Sequence, residues 1–253
     1  MRSPDRFEKL GIRQTVKRSW MDQTLRAVLS GKDEVAIRQE LMMMLADAET
    51  QHGERGAEQY CKNIALLAAW FAPKDDLDVF VGQLVNLARN LDPKEWVVLH
   101  WAVLAGSYPF FYTVSSVIGR LLSMQEKVAK AQIQRRVEET YGTPGMLERN
   151  MRYAIYILIE FGFLKQTEER GVYCRGDMVP VENDMLAMLL WKAALHATKG
   201  GRLPATALRN SPAFFPFAMP MIFPSQFRDA FDDVDVAQYM GVDEQIFLKE
   251  VAQ

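Results

Sequence analysis

Apolar residues recur at helical spacing through the first part of the chain. Between residues 76 and 90 they follow the spacing i, i+3, i+4, i+7, i+10 and i+11, which places them on one face of an amphipathic helix. Comparable patterns predict helices over residues 33–50 and 56–71. A further helix, with Asp92 as its N-cap residue, is apolar nearly all round and should occupy the centre. Strand patterns are absent before residue 120, and we predict a helical bundle over residues 1–108.

The pattern changes after Tyr108-Pro109, where helices give way to a mixture of helices and short strands. The predicted elements are, in chain order, a helix to about Ser123, a short link over 124–129, a helix over 130–141, a tight turn over 142–145, a helix over 146–161 that ends at Gly162, and two strands over 163–166 and 172–175. The strands flank a glycine-containing turn and predict a small β-hairpin. This order resembles the winged helix-turn-helix fold, and we assign such a unit to residues 109–176.

Residues 177–253 are less regular and are predicted to form a C-terminal extension. Helical patterns cover residues 182–198 and 204–209, and a strand over 245–249 is placed to close a small sheet. Prolines at every fourth position from 212 to 224 exclude a regular helix in a stretch that is rich in phenylalanine and methionine. So much apolar surface either packs against its own domain or forms an arm that docks onto a partner. The predicted fold class is therefore mainly α, with one small hairpin.

The composition is that of a globular protein. The chain has 253 residues, of which 49% are apolar and 25% charged, so wholesale disorder and fibrous classes are excluded. No apolar run approaches the roughly 18 residues that cross a bilayer, and the first residues lack the apolar core of a secretory signal. Two cysteines cannot supply a disulfide framework or a four-ligand zinc site. We expect a cytoplasmic protein without a membrane segment.

Charge is distributed unevenly along the chain. The formal net charge is −2, which excludes a protein that is basic throughout. Residues 120–175 nevertheless carry ten basic and seven acidic side chains, a balance of +3, whereas residues 1–119 have a balance of −1 and residues 176–253 of −4. The middle segment is the part best placed to meet an anion.

Catalytic motifs are absent from the sequence. It has no GxxxxGK[ST] phosphate loop, GxGxxG turn, GxSxG elbow or HExxH helix. We interpret His100 as a core residue and Cys61 as an inert buried thiol. The acidic clusters over residues 75–78 and 229–235 are interpreted as a helix cap and a solvated face. We therefore expect a protein that is not an enzyme and that uses no cofactor, metal ion or small-molecule substrate.

The helix over residues 146–161 has two distinct faces when its residues are laid out at 100° each. Apolar residues fall on one side and should face the core, whereas Arg149, Arg152 and Tyr153 lie on the other. In helix-turn-helix proteins the N-terminal residues of the second helix contact base edges in the major groove. By this resemblance the two arginines and the tyrosine would be the residues that read DNA.

Further basic residues would position the DNA backbone around that helix. Thr143 and the backbone N–H groups of the turn are candidates to hold a phosphate. The other positioning residues are Lys130, Arg135 and Arg136 on the preceding helix and Arg170 at the hairpin tip. The alternative is a structural or protein-docking unit, because Glu148, Glu168 and Glu169 would repel phosphate.

Basic residues also recur near the N-terminus, at i, i+4, i+7, i+11 and i+15. On a helix that starts at Ser3-Pro4 they would share a sector of roughly 80° and form a ridge that follows a phosphate backbone. The five residues are Arg2, Arg6, Lys9, Arg13 and Lys17. A solvated face is the alternative, and the weakly apolar opposite side disfavours a membrane-surface helix.

A helical bundle that leads into such a unit resembles the BrxA small subunit of BREX bacteriophage-defence systems. The resemblance covers roughly residues 80–165 and is carried by residues 99–104 (LHWAVL), 108–112 (YPFFY) and 155–164 (IYILIEFGFL). It implies a non-catalytic bacterial protein that binds double-stranded DNA together with other protein subunits in a defence complex. A protein-interaction scaffold and a transcriptional repressor remain as alternatives.

Overall fold

The computed structural model describes residues 5–48, 56–143, 145–239 and 243–249. The chain is mainly helical, with 60% helix and 12% strand, so the predicted fold class is confirmed at this level. Buried side chains from Ile12 to Leu248 belong to one continuous apolar cluster, and the N-terminal helices, the middle segment and the C-terminal extension all contribute to it.

Helices fill the N-terminal part of the chain, as the apolar spacing predicts. They are α1 (Asp5–Glu8), α2 (Arg18–Leu29), α3 (Glu34–Ala48), α4 (Gly56–Leu67), α5 (Asp78–Ala88) and α6 (Trp96–Ser107), with 3₁₀ turns at Ala68–Trp70, Asp75–Leu77 and Pro93–Glu95. Every residue of α6 is buried, which confirms its predicted central place. The Asp92 side chain accepts a hydrogen bond from the Lys94 backbone N–H at 2.9 Å, and the Glu95 carboxylate accepts one from the Asp92 backbone N–H, so the predicted cap is also confirmed.

The middle of the chain forms what we call the helix–hairpin unit, residues 109–175. Its elements are α7 (Pro109–Leu122), β1 (Lys127–Ala129), α8 (Lys130–Tyr141), α9 (Leu147–Glu160), β2 (Leu164–Gln166) and β3 (Val172–Arg175). β3 is the central strand and pairs antiparallel with both β1 and β2, which confirms the predicted hairpin. The link predicted over 124–129 is wrong in part, because it contains β1, whose Val128 is buried and pairs with Tyr173.

The end of α9 is fixed by Gly162, as the sequence predicts. Gly162 has a φ of +79°, a left-handed conformation that favours glycine. Its N–H donates to the Ile159 carbonyl and the Phe163 N–H donates to the Leu158 carbonyl, each at 2.9 Å. This pair of bonds is a Schellman motif, which stops the helix and turns the buried Phe163 and Leu164 into the core.

The C-terminal extension packs around one long buried helix. Its elements are β4 (Val179–Pro180), α10 (Asp184–Ala197), β5 (Arg202–Pro204), α11 (Ala205–Arg209), β6 (Phe217–Ala218), α12 (Pro224–Ala230), β7 (Val234–Tyr239) and β8 (Asp243–Leu248). β4 and β6 pair in parallel, and β5, β8 and β7 form an antiparallel sheet in that order. The strand predicted over 245–249 is therefore confirmed as part of β8.

The proline-aromatic stretch packs largely against its own chain. Trp101 on α6 contacts Phe214 and Phe217 edge-on, with ring centres 5.7 and 5.4 Å apart. Gly119 on α7 allows the backbone of this stretch to approach the helix closely, because a Cβ at this position would lie 1.9 Å from the Pro212 carbonyl oxygen. Of the two alternatives for this stretch, packing is confirmed for its buried aromatic residues, while Met221 and Phe223 remain exposed.

Among the described residues, no single helix combines the length and the apolar character needed to cross a bilayer. Within the same residues, one pair of helices, Pro93–Ser107 and Pro109–Leu122, has the required length and apolar character when the two are taken together, but the pair is bent by 116°.

Candidate nucleic-acid interface

The outer face of α9 carries the basic residues that the sequence places there. Arg149 and Arg152 are exposed, Tyr153 is half-buried and Tyr156 is exposed. The inner face is buried through the apolar residues Leu147, Met151, Ala154 and Leu158. The predicted division of this helix into two faces is therefore confirmed.

An ion pair joins the start of α9 to the start of α8. The Lys130 ammonium nitrogen lies 2.7 Å from Oε1 of Glu148, and both side chains remain partly in solvent. The hydrogen bond from Lys130 lowers the pKa of Glu148 below its ordinary value, and the charge of Arg152 adds to this effect. Lys130, one of the predicted DNA contacts, is thus already paired, and the sequence did not indicate Glu148 as its partner.

Arg152 lies where α9 faces the central strand of the small sheet. Its guanidinium carbon is 6.0 Å from the ring centre of Tyr153. Burial raises the pKa of Tyr173 on β3, the Tyr156 phenol raises it further, and the Arg152 charge opposes both. The positive charge of this side chain therefore reaches both the helix surface and the hairpin.

Two exposed arginines lie on α8. Arg136 pairs with Glu139 at 2.9 Å, one turn along the same helix. Arg135 has no ion pair with any residue that the structure describes. Exposed ion pairs of this kind contribute little free energy, so Arg136 can exchange its partner for another anion at small cost.

The hairpin tip is fixed against the start of α8. The Lys130 backbone N–H donates to the Gly171 carbonyl at 2.8 Å, and Gly171 has a φ of +80°. Arg170 is exposed at this tip beside the acidic Glu168 and Glu169. The hairpin loop therefore presents mixed charge at the same edge of the molecule as Lys130 and Glu148.

The turn between α8 and α9 leaves Thr143 exposed. Gly142 has a φ of +69°, which lets the chain reverse direction after α8. Met146 stands at the N-cap of α9, and its side chain accepts no hydrogen bond from the first turn. These first-turn N–H groups consequently have no capping side chain among the described residues.

The predicted basic ridge at the N-terminus is wrong. The only helix described before residue 18 is the four-residue α1, and the chain after it runs without helix to Lys17. Arg6 is buried, donates hydrogen bonds to the Gly106 and His196 carbonyls at 3.0 Å each, and lies 2.9 Å from the Asp76 carboxylate. It therefore holds two helix ends together and cannot contact DNA.

The remaining ridge residues do not share a helical face. Lys9, Arg13 and Lys17 are exposed on extended or irregular backbone, and the Lys17 ammonium lies 5.3 Å from the Trp20 ring centre. Arg2 lies outside the described residues. Basic spacing misleads here because it takes no account of Ile12 and Val16, whose burial pulls this segment into the core.

The other residues that the sequence singles out do not form a catalytic or metal-binding cluster within the described residues. His100 is buried with its Nε2 2.8 Å from Oδ1 of Asp22, and burial lowers its pKa, so its interpretation as a core residue is confirmed. Cys61 is exposed, so the prediction of a buried thiol is wrong. Within the described part of the chain, no three His, Cys, Asp or Glu residues are grouped to hold a metal ion.

Sequence reasoning missed a buried lysine. The Lys192 side chain on α10 is completely buried, with its ammonium nitrogen 2.5 Å from both Oε1 of Gln83 and Oδ1 of Asp233. Asp233 therefore belongs to an ion pair instead of a solvated face.

No protein-family model, no curated protein and no solved structure matches this chain.

Proposed function

We propose that this chain is a non-catalytic protein that binds duplex DNA, with residues 109–175 acting as a winged helix-turn-helix. The observation that carries the proposal is the exposed face of α9, on which Arg149 and Arg152 lie one turn apart near the helix N-terminus. Arginine offers a planar pair of donors that matches guanine edges and phosphate oxygens. The order of helices and strands in this unit supports the proposal, because the second helix of a helix-turn-helix is the one that enters the major groove, and α9 would be that helix.

The neighbouring charges support contact with the phosphate backbone. Arg135 and Arg136 on α8 and Arg170 at the hairpin tip are all exposed. The unit has an excess of only three positive charges between residues 120 and 175. Affinity would therefore be moderate and would come chiefly from a few phosphate contacts, with base contacts contributing selectivity.

The resemblance to the BrxA family extends the proposal to a bacterial phage-defence complex in the cytoplasm. The residues that carry it, 99–104, 108–112 and 155–164, lie mostly in the core. Core residues of this kind concern packing, so the proposed role in phage defence rests on the resemblance alone. A comparison of phage plating on cells with and without the gene tests this part, and unchanged plating would contradict it.

The DNA-binding proposal is tested by fluorescence anisotropy with a labelled random duplex at a series of salt concentrations. Each phosphate contact steepens the slope of log K against log salt by about 0.9. The variant Arg149→Ala/Arg152→Ala should weaken binding by about 1–3 kcal/mol for each arginine that reads a base, or reduce the slope by about 1 for each that contacts phosphate.

The matched control is Arg89→Ala/Arg209→Ala, which removes two exposed arginines outside the helix–hairpin unit. This control should bind as the wild type does. Equal losses in both double variants would mean that only overall charge matters, and no binding at low salt would refute the proposal in favour of a protein scaffold. A strong preference for a palindrome would favour a dimeric repressor.

A further inference from the structure

Glu148 is an acidic residue at a position where a phosphate-binding helix should avoid one. It lies in the first turn of α9, next to Arg149, and its side chain is 57% exposed. The hydrogen bond from Lys130 keeps the carboxylate ionised, and an ionised carboxylate offers only acceptors. Against the phosphate backbone alone, this group would only weaken binding.

The major groove contains base amino groups, and a carboxylate can accept a hydrogen bond from such a group. The 4-amino group of cytosine and the 6-amino group of adenine are its hydrogen-bond donors, whereas guanine and thymine present acceptor atoms in the corresponding positions. A carboxylate therefore gains a hydrogen bond from the first two bases and is repelled by the other two. Repulsion from the wrong partner is an effective source of selectivity.

The ion pair with Lys130 shows where the Glu148 carboxylate lies in the absence of DNA. Lys130 lies at the start of α8 with its backbone N–H bound to the Gly171 carbonyl, so the ammonium group that holds Glu148 comes from the junction of α8 with the hairpin. The carboxylate is thereby held on the outer side of the first turn of α9. When a base amino group takes over one carboxylate oxygen, the Lys130 ammonium becomes available to a nearby phosphate.

We infer that Glu148 is a specificity-determining residue, which selects cytosine or adenine over guanine or thymine at one position on one DNA strand. This inference rests on the proposed function. It assigns opposite effects to the two charged neighbours on α9, because Arg149 increases affinity for DNA in general, whereas Glu148 lowers it except at the preferred base.

The test compares the full-length wild type with Glu148→Ala and with the matched control Glu139→Ala. Glu139 is 55% exposed and pairs with Arg136 on α8, so both variants remove one exposed carboxylate and release one basic partner. Each protein is used to select bound duplexes from a randomised pool, and affinities for a single random duplex are measured across salt concentrations. Circular dichroism and thermal unfolding confirm that each variant folds.

We expect the wild type to prefer cytosine or adenine at one position by roughly 5- to 100-fold. Glu148→Ala should lose this preference, bind the random duplex more tightly, and show a salt slope steeper by about 0.9, since Lys130 gains a phosphate. Glu139→Ala should keep the base preference, whatever its effect on the slope.

The two levels of the proposal fail in different ways. If the wild type binds duplex DNA through Arg149 and Arg152 but Glu148→Ala leaves the base preference unchanged, the role of Glu148 is refuted and the proposed function stands. A wild type that binds without any base preference likewise refutes the role of Glu148 alone. If the wild type binds no duplex even at low salt, both are refuted.

Discussion

Replacement of Asp233 by alanine should destabilise the fold, because it removes the counter-ion of the buried Lys192. The Lys192 side chain is fully buried, and its ammonium nitrogen has Asp233 and Gln83 as hydrogen-bond partners, at 2.5 Å each, with the Phe231 ring centre 4.6 Å away. The amide oxygen and the ring would remain in Asp233→Ala, but neither carries a full negative charge. Removal of one partner from a buried ion pair typically costs about 3–5 kcal/mol of unfolding free energy.

The complementary substitution, Lys192→Met, should cost much less. The methionine fills most of the lysine volume with apolar atoms, and Asp233, which is 25% exposed, can take up water in place of the ammonium group. The large cost of breaking a buried ion pair comes from the charge that is left buried without a partner, and the partly exposed Asp233 carboxylate avoids much of that cost. The double variant Lys192→Met/Asp233→Ala should be more stable than Asp233→Ala alone, which would show direct coupling between the two sites.

The loss of unfolding free energy in Asp233→Ala should also depend on pH. Burial lowers the pKa of Lys192, and Asp233 opposes that effect, so removal of the carboxylate lowers the lysine pKa further. The unfolded chain then binds a proton that the folded chain has lost, and stability rises as the pH rises towards the unfolded value of about 10.4. Asp233→Ala should therefore be most destabilised near neutral pH and should recover part of the loss near pH 9.

Urea unfolding followed by circular dichroism, at about pH 7 and about pH 9, measures these differences. Asp229→Ala is the matched control, because Asp229 pairs with Arg228 on the surface and should contribute within about 0.5 kcal/mol. The reasoning is refuted if Asp233→Ala and Asp229→Ala are equally stable, or if Lys192→Met is as damaging as Asp233→Ala.

Two further substitutions test the packing, again by urea unfolding. Arg6→Ala should cost about 2–5 kcal/mol, because it leaves the Gly106 and His196 carbonyls without their donor and Asp76 without its cation. Arg13→Ala removes an exposed side chain and should be nearly neutral. Gly119→Ala should cost about 3 kcal/mol or more, since its Cβ would lie 1.9 Å from the Pro212 carbonyl oxygen. Gly82→Ala, where a Cβ meets nothing within 4 Å, should instead stabilise α5 by about 0.5–1 kcal/mol, and similar effects of the two alanines would contradict this account of Gly119.

Sequence reasoning succeeds where one local pattern decides the structure. The continuous apolar run that follows the Asp92 cap predicts α6 and its central place, and the apolar spacing of α9 predicts the direction of each of its faces. The glycine at 162 marks the end of α9 because only a left-handed residue completes that turn. The three-residue strand β1 is missed, since Lys127-Val128-Ala129 is too short to show an alternation.

Contacts between distant segments are beyond such patterns. Lys192 occurs in an apolar helix and Asp233 in an acidic run 41 residues later, and nothing in either segment points to the other. The N-terminal ridge fails for a related reason, because its basic spacing does not reveal that Arg6 will find the carbonyls of two helix ends. Within the candidate interface, the outward face of α9 could be predicted, whereas the pairing of Lys130 with Glu148 depends on the angle between two helices.

Lys130 connects three elements through one residue, with its main chain on the hairpin and its side chain on α9. A movement of α9 away from α8 would break the ion pair, and a movement of the hairpin would break the backbone hydrogen bond, so Lys130 favours one relative position of the three elements. A duplex that binds to this arrangement would itself take part of the adjustment of shape. Sequences that bend easily would then be favoured even at base pairs that no side chain touches.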